Sequence, residues 1–214
     1  MEQEAQQVNY QRILDHTLED LTRKGRVPSL FLHSCCAPCS SYVLEYLSQY
    51  FSITVFYYNP NITDETEYRH RVEELGRLIR ELPAKHPITL MKGAYEPEKF
   101  FAMAKGFEQE PEGGARCWHC YRLRLEESAA QAAALGMDYF TTTLSISPLK
   151  RAQWLNRIGK EMAEKYQVSY LYSDFKKKGG YQRSIELSRE YHLYRQDYCG
   201  CIYSKEERDR RQAQ

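Results

Sequence analysis

The stretch from Pro28 to Tyr58 sets the terms for the whole chain. A short apolar run, Pro28 to His33, is followed by a thiol-bearing turn, a helix and a second apolar run, Phe51 to Tyr58. Short apolar runs bounded by turn residues read as buried strands. Between them, Val43, Leu44, Leu47 and Tyr50 recur at the spacing of one helix face. Two strands joined through a helix form a right-handed parallel βαβ unit. In an open α/β sheet, the turn leaving such a strand is where ligands bind. Here it carries His33-Ser34-Cys35-Cys36-Ala37-Pro38-Cys39-Ser40. The helix N-terminus at this turn offers unpaired N–H groups and a positive dipole end, which favour thiolate over thiol.

The same alternation continues along the chain. Residues 1–24 read as a helix with Val8, Ile13, Leu14, Leu18 and Leu21 on one face. Asn59-Pro60-Asn61 is a turn, after which Thr63 or Asp64 caps a helix to about Leu82. Its inward face is Tyr68, Val72, Leu75, Leu78 and Ile79, with Glu and Arg outward. Ile88 to Met91 is a third strand, Tyr95 to Lys105 a brief helix and Gly106 to Arg116 a loop. Cys117-Trp118-His119-Cys120 opens a helix to about Leu135, and Met137 to Thr143 is a fourth strand. A loop, Leu144 to Pro148, precedes a helix over Lys150 to Tyr166 and a fifth strand over Val168 to Tyr172. Asp174 to Gly180 is a basic loop, Tyr181 to Tyr191 a helix, and Tyr198 to Tyr203 a compact segment. The predicted fold is therefore α/β, three-layered around a mostly parallel sheet. It forms a single domain over 1–214: an N-terminal helix (1–26), a catalytic core (27–204) and a charged tail (205–214) that ends as solvated helix.

Charge narrows the partners. With 30 basic and 29 acidic residues the net charge is +1, so nucleic acid has to be met by a local patch rather than a global field. The 18 tyrosines read mostly as half-buried packing, with stacking on bases as their alternative use. The sequence shows neither a signal peptide nor an apolar run of membrane-spanning length, which predicts a cytoplasmic protein without membrane contact. Cytoplasmic thiols are kept reduced, so the seven cysteines point to metal ligands or redox catalysts rather than structural disulfides.

Those cysteines form three groups: Cys35-Cys36-x-x-Cys39, Cys117-x-x-Cys120 and Cys199-x-Cys201. The middle pair has the spacing that places two sulfurs on one face of a first helical turn. Three readings fit. One is a closed zinc site with four thiolate ligands, leaving three spare thiols. A second is an iron–sulfur cluster, whose spread corners suit adjacent Cys35 and Cys36. The third is a dithiol at Cys199 and Cys201, where Gly200 gives the backbone freedom for a small, reducible ring. The second and third combine as a two-electron reductase.

The blocks HSCCAPCS, YYNPNI, CWHCYRLRLE, TTTLSISP and LYRQDYCGCIYS, lying between about Val27 and Ser204, resemble the epoxyqueuosine reductase QueH family. The resemblance implies a domain like that of the adenine nucleotide alpha-hydrolase (HUP) group. It also implies reduction of epoxyqueuosine to queuosine at the wobble position of tRNA, the last step of queuosine biosynthesis. Partners are then tRNA carrying epoxyqueuosine in its anticodon loop and an electron donor. By the same resemblance Cys35, Cys36, Cys117 and Cys120 match the family's ligands of a [4Fe–4S] cluster. Cys199 and Cys201 match its remaining pair, either a redox disulfide or ligands of an additional mononuclear iron or zinc. Cys39 stands where an aspartate occurs in some members, which makes any second metal site here richer in sulfur.

Two rivals belong to other classes. An ATP-dependent tRNA sulfurtransferase of the same fold would need a glycine-rich phosphate loop where this chain has Ser34-Cys35-Cys36. A metal-stabilised RNA-binding module would bind without turnover. Among the remaining residues, His33 and His119 read first as local hydrogen-bond partners and second as metal ligands or proton relays. Asn59 is a turn or pocket residue, and Tyr57 and Tyr58 are candidates to stack on a base. Lys150, Arg151 and Lys176 to Lys178 are candidates for phosphate contact. Tyr181, Arg183 and Arg195 are placed near the active face by the resemblance.

Overall fold

A computed structural model describes residues 8–213. It places five parallel strands in the order β3-β2-β1-β4-β5: β1 (Ser29–Ser34), β2 (Ser52–Tyr57), β3 (Ile88–Lys92), β4 (Tyr139–Thr142) and β5 (Ser169–Tyr170). β1 is central, pairing on one side from Ser29↔Ser52 to Ser34↔Tyr57 and on the other from Leu30↔Tyr139 to His33↔Thr142. The chain winds outward through β2 and β3, then crosses back beyond β1 to β4. The crevice beyond the carboxyl ends of β1 and β4 is thus the switch point at which open α/β sheets bind ligands.

Side-chain alternation builds two cores. Leu30, Leu32, Ile53, Val55 and Tyr57 face the layer formed by α1 (Tyr10–Arg23), α2 (Ala37–Leu47), α3 (Glu65–Glu81) and α7 (Gly180–Glu190). Phe31, Phe56, Phe140 and Tyr170 face α5 (Ala115–Ala134) and α6 (Ala152–Tyr166). Both faces of β1 are covered, which explains why Leu30, Phe31 and Leu32 are apolar in succession rather than alternating with polar residues. α6 lies so close to the sheet that a Cβ on Gly159 would collide with the Tyr170 ring, so that position requires glycine. α4 (Pro97–Ala104) and α8 (Ile202–Gln212) complete the helices of the described residues.

Several expectations are corrected. α1 begins at Tyr10, capped by the Asn9 side chain on the Arg12 N–H; Val8 and Ile13 are exposed, and the inward face is Gln11, Leu14, Leu18 and Leu21. The part of that helix expected over residues 1–7 lies outside the described residues. The predicted strand Val168–Tyr172 shrinks to Ser169–Tyr170, because it pairs with β4 alone and leaves the sheet after the Leu171 N–H reaches Phe140 O. The expected loop after β4 is a 3-10 turn, Thr143–Ile146, capped by the Thr142 hydroxyl. α8 begins before the predicted tail, at Ile202. Asp64, not Thr63, caps α3, with its carboxylate accepting from Thr66 and Glu67. On α3, Arg71 is 2% exposed instead of facing outward.

Candidate active site

The thiols gather at the carboxyl ends of the strands, each for a separate local reason. Cys35 and Cys36 follow β1 directly. Cys36 is the N-cap of α2, and its sulfur accepts the Cys39 N–H at 3.4 Å. Pro38, within the first helical turn, lacks the N–H that no helix partner could have satisfied there. Cys117 and Cys120 sit one turn apart at the start of α5, and the Gly113 N–H points at the Cys117 sulfur at 3.3 Å. Cys199 and Cys201 arrive on the loop before α8, whose N-cap is Cys201, with the Ser204 N–H directed at its sulfur at 3.4 Å. Gly200 between them has φ +114°, and a Cβ there would meet Ile62 at 2.8 Å and the Arg71 guanidinium at 3.2 Å. All seven cysteines are free thiols.

Two sulfur groups result. Cys35, Cys36 and Cys39 hold their sulfurs within 4.8 Å of one another, a spacing able to bind a metal ion. They line a cavity of about 340 Å³ together with Lys150, Tyr181 and Cys199. Cys117, Cys120, Cys199 and Cys201 surround a closed crevice walled by Phe100 and Tyr121. Cys199 and Glu112 line both spaces, so the two groups adjoin.

Two cations face the thiols across these spaces. Arg124, 1% exposed, donates from Nε to His33 Nε2 at 3.3 Å and from a terminal nitrogen to Asn59 Oδ1. Its other terminal nitrogen is buried without a partner. Asn59 in turn donates to Ser34 O at 2.8 Å, and His33 Nδ1 is bonded to the Thr142 hydroxyl at 2.8 Å. Burial raises the cost of the Arg124 charge, yet the neighbouring sulfurs of Cys120, Cys35 and Cys199 more than offset it and strengthen its hold on the proton. Lys150 behaves alike: burial opposes its charge, while Cys199, Tyr121, Cys35 and Cys39 push its pKa well above the usual amine value. Among the described residues neither cation meets a carboxylate within ion-pair distance.

The thiols respond unequally. Hydrogen bonds from Cys36 and Cys39, aided by Arg124 and Lys150, hold Cys35 well below the ordinary thiol range. Burial and its bond to Cys35 push Cys36 up to about 12, and the bonds to Cys35 and Cys36 raise Cys39. Burial raises Cys120 to about 12 against the pull of Arg124, and raises Cys117 and Cys201. His33 is driven down to about 3, by burial first and Arg124 second, and stays neutral.

The remaining candidates divide. Lys150, Tyr181 and Arg195 line the larger cavity. Arg183 does not; it pairs with Glu45 at 2.6 Å. Tyr57 and Tyr58 cannot stack on a base, because both are buried, one in each core. Tyr198 is the half-buried aromatic that lines the larger cavity, lying between the guanidinium groups of Arg71 and Arg208 at 5.4 and 5.0 Å. His119 packs against the Phe107 ring, centroids 4.7 Å apart and tilted by 35°. Asn59 ties the turns together and lines neither space. The residues missed from sequence are Arg71 and Arg124. Arg124 did carry a signal: it follows Cys120 by four positions and Cys117 by seven, on one helix face.

Comparison with known proteins bears on this site. The family model described as epoxyqueuosine reductase QueH matches residues 30–207. A Staphylococcus epidermidis protein named epoxyqueuosine reductase QueH is 42% identical over 203 residues, covering 93% of this chain and 85% of the relative. One of that name from Streptococcus pyogenes serotype M1 is 41% identical over 201 residues, covering 93% and 79%. A third, from Thermotoga maritima, is 34% identical over 192 residues, covering 87% and 95%.

Proposed function

The chain belongs to the epoxyqueuosine reductase QueH family, and from that premise we propose how its thiols reduce epoxyqueuosine to queuosine in tRNA. The observation that carries the reading is two cations, buried Arg124 and half-buried Lys150, that face thiols and, among the described residues, form no ion pair with a carboxylate. Buried positive charge needs a buried counter-charge. Thiolates holding an anionic metal–sulfur group supply it, so the donor set fits a [4Fe–4S] cluster. In this reading Cys35, Cys36, Cys117 and Cys120 hold the cluster, Cys39 contributes to an additional iron or zinc, and Cys199 with Cys201 is the working pair. When bound, the cluster would supply one-electron chemistry.

The reaction removes the epoxide oxygen as water. Two C–O bonds break, one C=C bond forms, and two electrons and two protons are consumed. A Cys199–Cys201 dithiol closing to a disulfide releases two electrons and two protons, which balances one turnover; the external electron donor then restores the thiols. The Cys199 carbonyl accepts from Arg71 at 3.4 Å, which holds Cys199 at the shared edge of both spaces, with Cys201 beside it in the closed crevice. The cavity of about 340 Å³ receives the modified base of the anticodon wobble position, which lies in a single-stranded loop and is splayed without opening a duplex. The turn after β1 offers no glycine cradle for ATP phosphates, since Cys36 and Ala37 fill it. Among the described residues no helix is long and apolar enough to cross a membrane, in keeping with a cytoplasmic place of work.

Anaerobic, reduced enzyme incubated with tRNA bearing epoxyqueuosine should yield queuosine on nucleoside mass spectrometry. No queuosine, while another reductase converts the same tRNA, ends this reading. The spatial grouping favours a second partition of ligands, with the cluster on Cys117, Cys120, Cys199 and Cys201 and a single metal ion on Cys35, Cys36 and Cys39. Iron and sulfide analysis of Cys199→Ser and Cys201→Ser separates the two. The first assignment expects the cluster retained and turnover lost; the second expects both lost.

A further inference from the structure

Beside the catalytic cavity, and separated from it by Pro148 and Lys150, runs a wider groove of about 860 Å³ that no thiol lines. One wall is the first turn of α1, residues 8–12; the other is the basic loop 174–178. Six cations line it (Arg12, Lys150, Arg151, Lys176, Lys177 and Lys178) against two carboxylates, Asp15 and Asp174. Those carboxylates are engaged: Asp174 holds Lys176 at 2.6 Å, and Asp15 holds Lys178 at 2.7 Å. Arg12, Arg151 and Lys177 are exposed and, among the described residues, meet no carboxylate within ion-pair distance. The local field is strongly positive although the chain carries a net charge of only +1.

We infer that this groove is a track for the phosphate backbone of the RNA strand whose base enters the sulfur-lined cavity. The inference rests on the function proposed above. A base splayed into the cavity must leave its own and its neighbours' phosphates just outside the mouth. The ridge Pro148–Lys150 forms the mouth's rim on the groove side, and the groove's uncommitted cations lie directly beyond it. Leu149 on that rim is 72% exposed, an apolar surface suited to a neighbouring base rather than to water.

The test compares Arg12→Glu and Lys177→Glu, separately, with Lys85→Glu. Lys85 is exposed in the loop before β3, at the opposite end of the sheet, and its variant makes the same change in net charge. Binding to tRNA bearing epoxyqueuosine is read by fluorescence anisotropy across a salt series. Each phosphate contact on a single strand contributes about 0.7 to the log–log salt slope, hence roughly fivefold in affinity at about 0.1 M salt. Arg12→Glu and Lys177→Glu should each lose at least about that factor and flatten the slope by about 0.7, with Lys85→Glu near wild type. Equal affinities for all three variants overturn the inference. It is overturned too if tRNA affinity holds while turnover falls only with a protein electron donor, since the groove then serves an acidic protein. Wild-type turnover driven by dithionite is measured separately. Conversion by wild type with unweakened binding by the groove variants sinks the track alone. Groove-dependent binding without conversion sinks the proposed reaction alone.

Discussion

The two sulfur groups are held in different ways. Cys35, Cys36 and Cys39 sit on the turn between the central strand and its helix, so their placement is fixed by the hydrogen-bonded sheet and by main-chain geometry. Cys199 and Cys201 sit on a late loop outside the sheet, held by side chains reaching from α3. Glu74 accepts the Tyr194 N–H at 2.8 Å, Arg77 donates to Tyr191 O at 2.9 Å, and Arg71 donates to Cys199 O at 3.4 Å. A group fixed by the sheet keeps its geometry as long as the domain is folded. A group fixed by a few side chains can shift at small cost, which suits a pair that must change its sulfur bonding every cycle. Cys117 and Cys120 stand between these cases, on the rigid start of α5 but facing the loop.

The largest effect should come from removing the charge that links the groups. Arg124→Met leaves His33 and Asn59 without their shared donor and the thiols without their buried cation. A loss of about 3 kcal/mol is expected in urea unfolding, together with loss of bound iron. Arg124→Lys should restore little of either, because an ammonium cannot span both acceptors. Retention of iron by the Lys variant would show that charge alone, without the fork, unites the two groups.

A smaller effect is expected at Gly200, confined to the loop. Gly200→Ala forces a side chain into left-handed backbone against Ile62 and Arg71. It should cost about 1–3 kcal/mol locally. Turnover should fall at least tenfold while iron and sulfide per chain stay near wild type. Parallel loss of iron would mean that the loop group is no more adjustable than the strand group.

The smallest effect is a pH dependence. Hydrogen bonds from Arg77 and from the Tyr194 N–H hold Glu74 below its ordinary value of 4.5. A carboxyl with a depressed folded pKa contributes stability that is present above its unfolded pKa and lost as pH falls through the folded one. Hydrogen-exchange protection at the Tyr194 amide, corrected for intrinsic rates, should therefore decline below about pH 4.5, before that of β1. Glu74→Gln keeps an acceptor for Tyr194 but should flatten this dependence, at a cost of about 1 kcal/mol. Simultaneous loss of protection in β1 and at Tyr194 would erase the contrast between the regions.

The sheet and its first site were legible because apolar runs, turn residues and cap residues act locally: β1, β2, the cysteine turn and α3 stand where their periodicity put them. The site's charges were not. Arg71 sits at a position that surface chemistry assigns to solvent; its intrahelical pair with Glu67 is local, and the Cys199 loop packed over it is what makes it buried. Tyr57 and Tyr58, candidates to stack on a base from their place at a strand end, are instead packed inward, Tyr57 on Tyr68 of α3 and Tyr58 on Phe56. Which thiols meet was also beyond the reach of spacing, since Cys39 joins Cys35 through one helical turn while Cys120 meets Cys201 through the fold of the whole chain.

Two of the helices bordering the site begin on sulfur: Cys36 caps α2 and Cys201 caps α8, each accepting a main-chain N–H at 3.4 Å. Serine is a better acceptor in that position than a thiol. The usual replacement of cysteine by serine therefore preserves or strengthens the start of either helix, so any activity lost in Cys36→Ser or Cys201→Ser reports on sulfur chemistry and not on folding. Cys120 has no such protection. It lies among Phe100, Ala104 and Cys201, where a hydroxyl would be buried beside apolar neighbours, and alanine is the cleaner replacement there. The fold thus marks which cysteines an experimenter can silence without disturbing what surrounds them.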